Sequence, residues 1–303
     1  MKQAILVPLD GSEFSEYALP AAVGLARELG GTLHLVRAHE IPLPVNPDIL
    51  MAQDPEWDRS VREAEEEYLM SAANRCMEAG VSARTDLLDG PAAHALASYA
   101  KDVGVALVVM TTHGRGGISR AWVGSVADAV VRRSSAPVLL LRPQPDVEAR
   151  ELESGHVLIP LDGSRLSEGI LESAVMVGSL TGARYTLLRV IVPVPPLGVG
   201  VSTAAGLDTV VESEAEVQAE LAKVADPLRA RGLDVATAVA MHPVPAVAIL
   251  DWAAGNGVDL IAVATHGRGG WSRVALGSVA DKVMRGAQVP VLLYRPAATA
   301  ERS

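Results

Sequence analysis

Two stretches of this chain carry glycines at a spacing that suits anion binding. In each, Thr-His-Gly-Arg-Gly-Gly follows an aliphatic run; Gly114 precedes nine residues and then Gly124-Ser125, and Gly267 precedes nine residues and then Gly277-Ser278. Glycine lets backbone approach an anion closely, and the unbonded N–H groups that open a helix supply donors within a favourable dipole. Ser125 and Ser278 add a hydroxyl donor. Arg115, Arg120, Arg268 and Arg273 bring positive charge to a chain whose formal charge is -10. A polyphosphate would suit such a loop. The same residues also read structurally, as glycines that let a strand bend into a helix and serines that cap it. Spacing alone leaves both readings open. His113 and His266 directly precede the loop glycine and read as turn residues within reach of a phosphate, because no Asp or Cys stands at a spacing that would make them a base or a metal site. Asp10 and Asp162, each in Asp-Gly-Ser, read either as Asx-turn residues or as ligand contacts.

These residues recur because the chain repeats itself. ILVPLDGSEFSE from Ile5 to Glu16 matches VLIPLDGSRLSE from Val157 to Glu168, and THGRGGISRAWVGSVAD from Thr112 to Asp128 matches THGRGGWSRVALGSVAD from Thr265 to Asp281. The offsets are 162 - 10 = 152 and 265 - 112 = 153, too long for a solenoid and suited to two copies of one domain. The expected division is residues 1–143, a linker over 144–155, and residues 156–303. Within copy one, aliphatic runs at Ile5 to Pro8, Leu33 to Ala38, Ala83 to Leu87, Ala106 to Met110 and Val138 to Leu141 predict strands, and copy two repeats them. They lack polar alternation, as do strands covered on both faces. Helices are predicted over Ser12 to Leu29, Glu56 to Ala79, Ala92 to Asp102 and Gly124 to Ser134. The order β-α-β-α-β-α-β-α-β, twice, predicts an α/β chain with two doubly wound, mostly parallel five-stranded sheets that have helices on both faces. Ligands of such sheets bind at the carboxyl ends of the strands.

Composition removes several classes of function. With 36 acidic against 26 basic residues and only 3% aromatics, the chain lacks the charge and the stacking platforms for nucleic acid. The uncharged stretch from Val190 to Leu207 is cut by Pro193, Pro195 and Pro196, so it reads as a loop and not as a membrane span. Cys76, the single cysteine, excludes an internal disulfide and fits a reducing cytoplasm; between Met70 and Met77 it reads as part of a partly buried helix face with a structural role. No Gly-x4-Gly-Lys loop, nucleophile elbow or metal-ligand cluster points to an enzyme, so at most slow hydrolysis of a bound polyphosphate is expected.

VPLDGSEFSEYAL, LHLVRAHE, VVMTTHGRGG and GSVADAVVRRSSAPVLLLRP resemble the successive landmarks of the universal stress protein family, and copy two matches them in the same order. The resemblance implies a tandem of two such domains that binds ATP with Mg2+ and serves in stress response or signalling, nucleotide occupancy setting the choice of an unidentified regulatory protein partner or the oligomeric state. Its implied nucleotide contacts are Pro8, Asp10, Ala38, Met110, Thr111, His113, Gly114, Arg115, Gly124, Ser125 and Val126 in copy one. In copy two they are Pro160, Asp162, Val190, Val263, Ala264, His266, Gly267, Arg268, Gly277, Ser278 and Val279. Adenine would lie near Asp10 and Ala38, or Asp162 and Val190, with phosphates on the glycine loop. The first glycine of the family's pattern, Gly-x2-Gly-x9-Gly-[Ser/Thr], is replaced by Thr111 and Ala264; the smaller Ala264 predicts that copy two binds at least as tightly. The resemblance also implies that PVLLLRP (Pro137 to Pro143) and PVLLYRP (Pro290 to Pro296) pair across a pseudo-two-fold axis, giving an intramolecular pseudo-dimer; the other arrangement is a homodimer in which each edge pairs with another chain.

Overall fold

The computed structural model describes residues 3–40, 55–112, 123–143, 147–152, 155–193, 213–265 and 276–295. Copy one contains β1 (Ala4–Pro8), α1 (Glu13–Glu16), α2 (Leu19–Leu29), β2 (Thr32–His39), α3 (Pro55–Glu78), β3 (Ser82–Asp89), α4 (Ala92–Val103), β4 (Leu107–Thr111), α5 (Ser125–Arg133) and β5 (Val138–Leu141). Copy two repeats this series with β6 (His156–Pro160), α6 (Arg165–Glu168), α7 (Leu171–Ser179), β7 (Arg184–Ile191), α8 (Glu214–Ala230), β8 (Val235–Met241), α9 (Pro245–Gly255), β9 (Leu260–Ala264), α10 (Ser278–Gly286) and β10 (Val291–Tyr294).

The two expected five-stranded sheets are one. Strand order is β3-β2-β1-β4-β5-β10-β9-β6-β7-β8 in a single ten-stranded sheet. Every neighbouring pair is parallel except β5 and β10, which join the copies antiparallel through Val291↔Leu140, Leu292↔Leu139 and Leu293↔Val138. Those two apolar edges therefore cover each other within one chain, as an exposed edge requires. Leu139 and Leu292 lie in the core on one face of the sheet, and Leu140 and Leu293 in the core on the other. Both cores thus run across the junction without a break.

The predicted helix from Ser12 to Leu29 is two helices. Ser12 caps α1 by accepting from Ser15 N, and α2 restarts after Tyr17 and Ala18 with Pro20 in its first turn, where a missing N–H is harmless. Copy two breaks at Gly169 and Ile170 without a proline, so the restart belongs to the fold and Pro20 merely suits it. Cys76 is more buried than expected, at 2% exposure against the sheet, and burial pushes its thiol pKa up. Both facts agree with a structural role. Among the described residues no helix is long and apolar enough to cross a membrane.

Each copy reverses its winding direction between β1 and β4, or β6 and β9, and it is there that a doubly wound sheet opens a crevice. The residues open it further. β1 pairs with β4 only through Ile5↔Leu107 and Leu6↔Val108, whereas it pairs with β2 along its whole length to Pro8↔Val36. Leu9 N donates to Val36 O on the β2 side, so position 8, one residue earlier, faces β4. Pro8 has no N–H to offer there, and the ladder ends. Pro160 does the same in copy two, where Leu161 N donates to Leu188 O.

Candidate functional site

Asp10 and Asp162 stand at the mouth of the crevice in identical turns. Asp10 Oδ1 accepts from Ser12 N at 2.9 Å and from Ser12 Oγ at 2.5 Å; Ser12 Oγ accepts from Ser15 N, and Ser15 Oγ donates to Ser12 O and accepts from Asp10 N. Copy two repeats all five bonds with Asp162, Ser164 and Ser167. The Asx-turn is therefore present, and it fixes one face of each carboxylate towards the serine. Gly11 and Gly163 have φ of 84° and 80°, a conformation that disfavours any side chain. At Gly163 space is closed as well: a Cβ would run into the Arg189 guanidinium. Arg189, on β7 beside Val190, is 3% exposed and packs beneath the turn that presents Asp162.

Across the crevice, each glycine loop is closed at its base by one hydrogen bond. Gly124 N donates to Thr112 O at 2.6 Å, and Gly277 N to Thr265 O at 2.7 Å. That bond sets the N-terminus of α5 beside the end of β4, and the N-terminus of α10 beside the end of β9. The N-cap residue is the glycine, with φ and ψ of -56° and 150° at Gly124 and -60° and 143° at Gly277, and among the described residues no side chain caps either helix. Ser125 and Ser278 are thus the first helical residues, which corrects the reading of them as N-caps. By contrast α1, α6 and α8 carry side-chain caps from Ser12, Ser164 and Ser213. The first intrahelical bonds run from Asp128 N to Gly124 O and from Asp281 N to Gly277 O, so the N–H groups of residues 125–127 and 278–280 precede the ladder and point out of the helix end. Ser125 and Ser278 are exposed there.

Ala38 and Val190, half-buried near the ends of β2 and β7, lie level with the aspartates. Met110 and Val263 face the core that holds α5 and α10. Val126 and Val279 lie in the first turns of those helices. Ala264 packs into the opposite core, so a side chain at this position and at its counterpart Thr111 points to the α1 or α6 side. The replaced glycine therefore adds its Cβ near the aspartate turn and away from the helix N-terminus. His113, Gly114, Arg115, Arg120, His266, Gly267, Arg268 and Arg273 lie outside the described residues. Among the described residues no group of His, Cys, Asp or Glu could hold a metal ion. Sequence reasoning missed Arg37, His39, Asp58 and Glu65, which gather at the end of β2; the Arg-Ala-His run was their only sequence signal.

The sequence profile of the universal stress protein family matches residues 1–142 and again 153–295. The chain belongs to the universal stress protein family. Its two-copy layout has full-length parallels: a universal stress protein of Mycolicibacterium smegmatis is 27% identical over 303 residues, covering 96% of this chain and 97% of that relative. One from Bacillus subtilis, 33% identical over 148 residues, spans 47% of this chain and 100% of its own length. In structure, a universal stress protein from Archaeoglobus fulgidus superposes with a TM-score of 0.74 at 20% identity, covering 97% of this chain and 98% of that one. This tandem universal stress protein therefore shares its α/β architecture with a solved two-copy relative.

Proposed function

We propose that this universal stress protein binds ATP, with its divalent ion, in the crevice of each copy, and that occupancy regulates its choice of protein partner or its oligomeric state. The observation that carries this reading is the glycine-capped N-terminus of α5 and α10, held against the strand ends by the Gly124–Thr112 and Gly277–Thr265 bonds. Three N–H groups in a helix dipole, with no carboxylate or hydroxyl cap among the described residues, are a receptor for phosphate oxygens. In a chain of net charge -10 a general attraction cannot supply that affinity, so the local dipole and donors must. Asp10 and Asp162 would accept from the ribose, and the backbone at Ala38 and Val190 would meet the adenine edge. The bound ion would neutralise phosphate charge.

Nucleotide released on denaturing the purified protein and identified by mass spectrometry tests this reading. ATP or ADP near one or two equivalents per chain supports it. A nucleotide-free protein that also takes up none on incubation would leave a scaffold whose glycine loops serve folding alone. Turnover above that of a loop variant would add slow hydrolysis to binding.

A further inference from the structure

His39 and Ile191 occupy equivalent positions, each three residues beyond the strand residue that pairs with Pro8 or Pro160. The apolar residue in copy two makes the arrangement in copy one conspicuous. His39 is 4% exposed and has a carboxylate on each ring nitrogen: Glu65 Oε2 lies 2.7 Å from Nδ1, and Asp58 Oδ1 lies 3.0 Å from Nε2. An ionised carboxylate only accepts, so both bonds exist together only when both nitrogens carry protons. A neutral ring would turn a lone pair towards one of the two carboxylates.

The surroundings are set for the cation. Arg37 of β2 lies 2.9 Å from Glu65 Oε1, Arg62 of α3 donates to Asp58 Oδ2 at 3.1 Å, and Arg62 also reaches Asp89 of β3. The groups facing His39 directly or through a partner are thus Asp58, Glu65, Arg37 and Arg62, with Asp89 one step further behind Arg62. With His39 protonated the cluster balances three positive against three negative charges, and without that proton it holds a net negative charge. Burial opposes the charged ring, yet its hydrogen bonds to Glu65 and Asp58 outweigh it and hold the His39 pKa above 6.5.

We propose that His39 is a proton-operated clasp present in copy one alone: its imidazolium ties the first turn of α3 to the carboxyl end of β2, and loss of a ring proton releases that turn. Glu65, two turns along α3, holds the other side of the ring, so the clasp spans the ligand-side half of the helix. Copy two has the apolar Ile191 at the matching place and a looser Arg189–Glu220 pair at 3.6 Å. This inference does not rest on nucleotide binding. It gives α3 of copy one a proton-dependent tether that the matching helix of copy two, α8, lacks.

Hydrogen exchange of the intact chain between about pH 6 and about pH 9 tests the clasp, with α8 serving as the internal control. Corrected for intrinsic rates, protection of residues 58–69 should fall by up to about tenfold per pH unit as pH rises from about 6.5 to the elevated His39 pKa and level off above it, while α8 stays level. His39→Ile, which copies the second half, should remove the pH dependence. Equal responses in α3 and α8 would overturn the proposal. Ring 15N shifts of His39 in the unaltered protein give a second readout should the variant not fold: a ring still mostly doubly protonated at about pH 6.5 is expected, and a mostly neutral ring there would overturn it.

Discussion

Arg142 and Arg295 each close the last helix of the other copy. Arg142, just past β5, donates from Nη2 to the carbonyl of Arg285 at 2.8 Å, near the end of α10; Arg295, just past β10, donates from Nη1 to the carbonyl of Arg132, near the end of α5. Those carbonyls lack partners within their own helices. Between the two caps, Asp128 and Asp281 bind Arg132 and Arg285, each arginine reaching the aspartate of its own helix and of the other copy. The helices whose N-termini face the two crevices are therefore fastened at their C-termini across the junction. The β5–β10 ladder and this exchange of arginines make one unit from two copies.

Removing either cap should weaken the junction. Arg142→Ala and Arg295→Ala are each expected to lower stability by about 1.5–3 kcal/mol, the range for hydrogen bonds from charged groups. Urea unfolding at fixed pH measures this. A loss below about 0.5 kcal/mol in both variants would mean that water replaces the arginines without penalty.

The glycine N-caps separate stability from binding. Gly124→Asp and Gly277→Asp put a good helix-capping side chain at positions whose φ and ψ any residue adopts, so stability should hold or rise by a few tenths of a kcal/mol, roughly. Each carboxylate would also occupy and repel the place of a phosphate. Each variant should therefore lose nucleotide affinity in its own copy while its melting temperature holds. A fall in melting temperature with affinity retained would point to a folding role for the glycine.

Gly163 and Gly30 form a natural comparison. Both have positive φ, but nothing lies within 4 Å of a Cβ built at Gly30, whereas one built at Gly163 meets Arg189. Gly30→Ala should cost about 1 kcal/mol and Gly163→Ala clearly more, with Arg189→Ala relieving part of the second loss in a double-mutant cycle. Equal losses would show that Arg189 moves aside freely.

Acid should act through two other histidines with the opposite sign to His39. Burial lowers the pKa of His34, bonded to Tyr99, and of His156, bonded to Thr186. Below 6.5 the unfolded chain takes up protons that these folded rings resist, so stability falls as pH drops through that value and on towards the folded pKa. His39 works in the other direction, its contribution being present below 6.5 and lost as pH rises through its elevated folded value. Urea midpoints at about pH 5 and about pH 7.5 should show the acid loss, reduced in His156→Gln. An unchanged acid slope in that variant would remove His156 from the account.

The inner strands were legible because they are buried on both faces and read as unbroken aliphatic runs, as at Leu107–Thr111 and Leu260–Ala264, whereas the edge strands β3 and β8 are only partly covered. Duplication made the doubly wound order legible twice over. What the sequence hid depends on contacts between distant residues. The break after α1 depends on the Asp10–Ser12–Ser15 knot and recurs without Pro20 in copy two. Pairing of the two apolar edges within one chain was implied by the family resemblance and is found, but its antiparallel register, with Leu140 opposite Val291 and Val138 opposite Leu293, follows only from the fold. At the site, glycine spacing marked the loops, yet which residue caps α5 follows from the Gly124–Thr112 bond. The His39 cluster joins β2 to residues 19 and 26 positions later, and only the packing of α3 over β2 brings them together.

Calorimetric titration of ATP with Mg2+ into nucleotide-stripped protein tests the central claim most directly. Saturable binding is expected, with one component lost in Gly124→Asp and the other in Gly277→Asp. Absence of heat, together with absence of a thermal shift at millimolar ATP, would contradict the nucleotide reading and leave the glycine loops as elements of the fold.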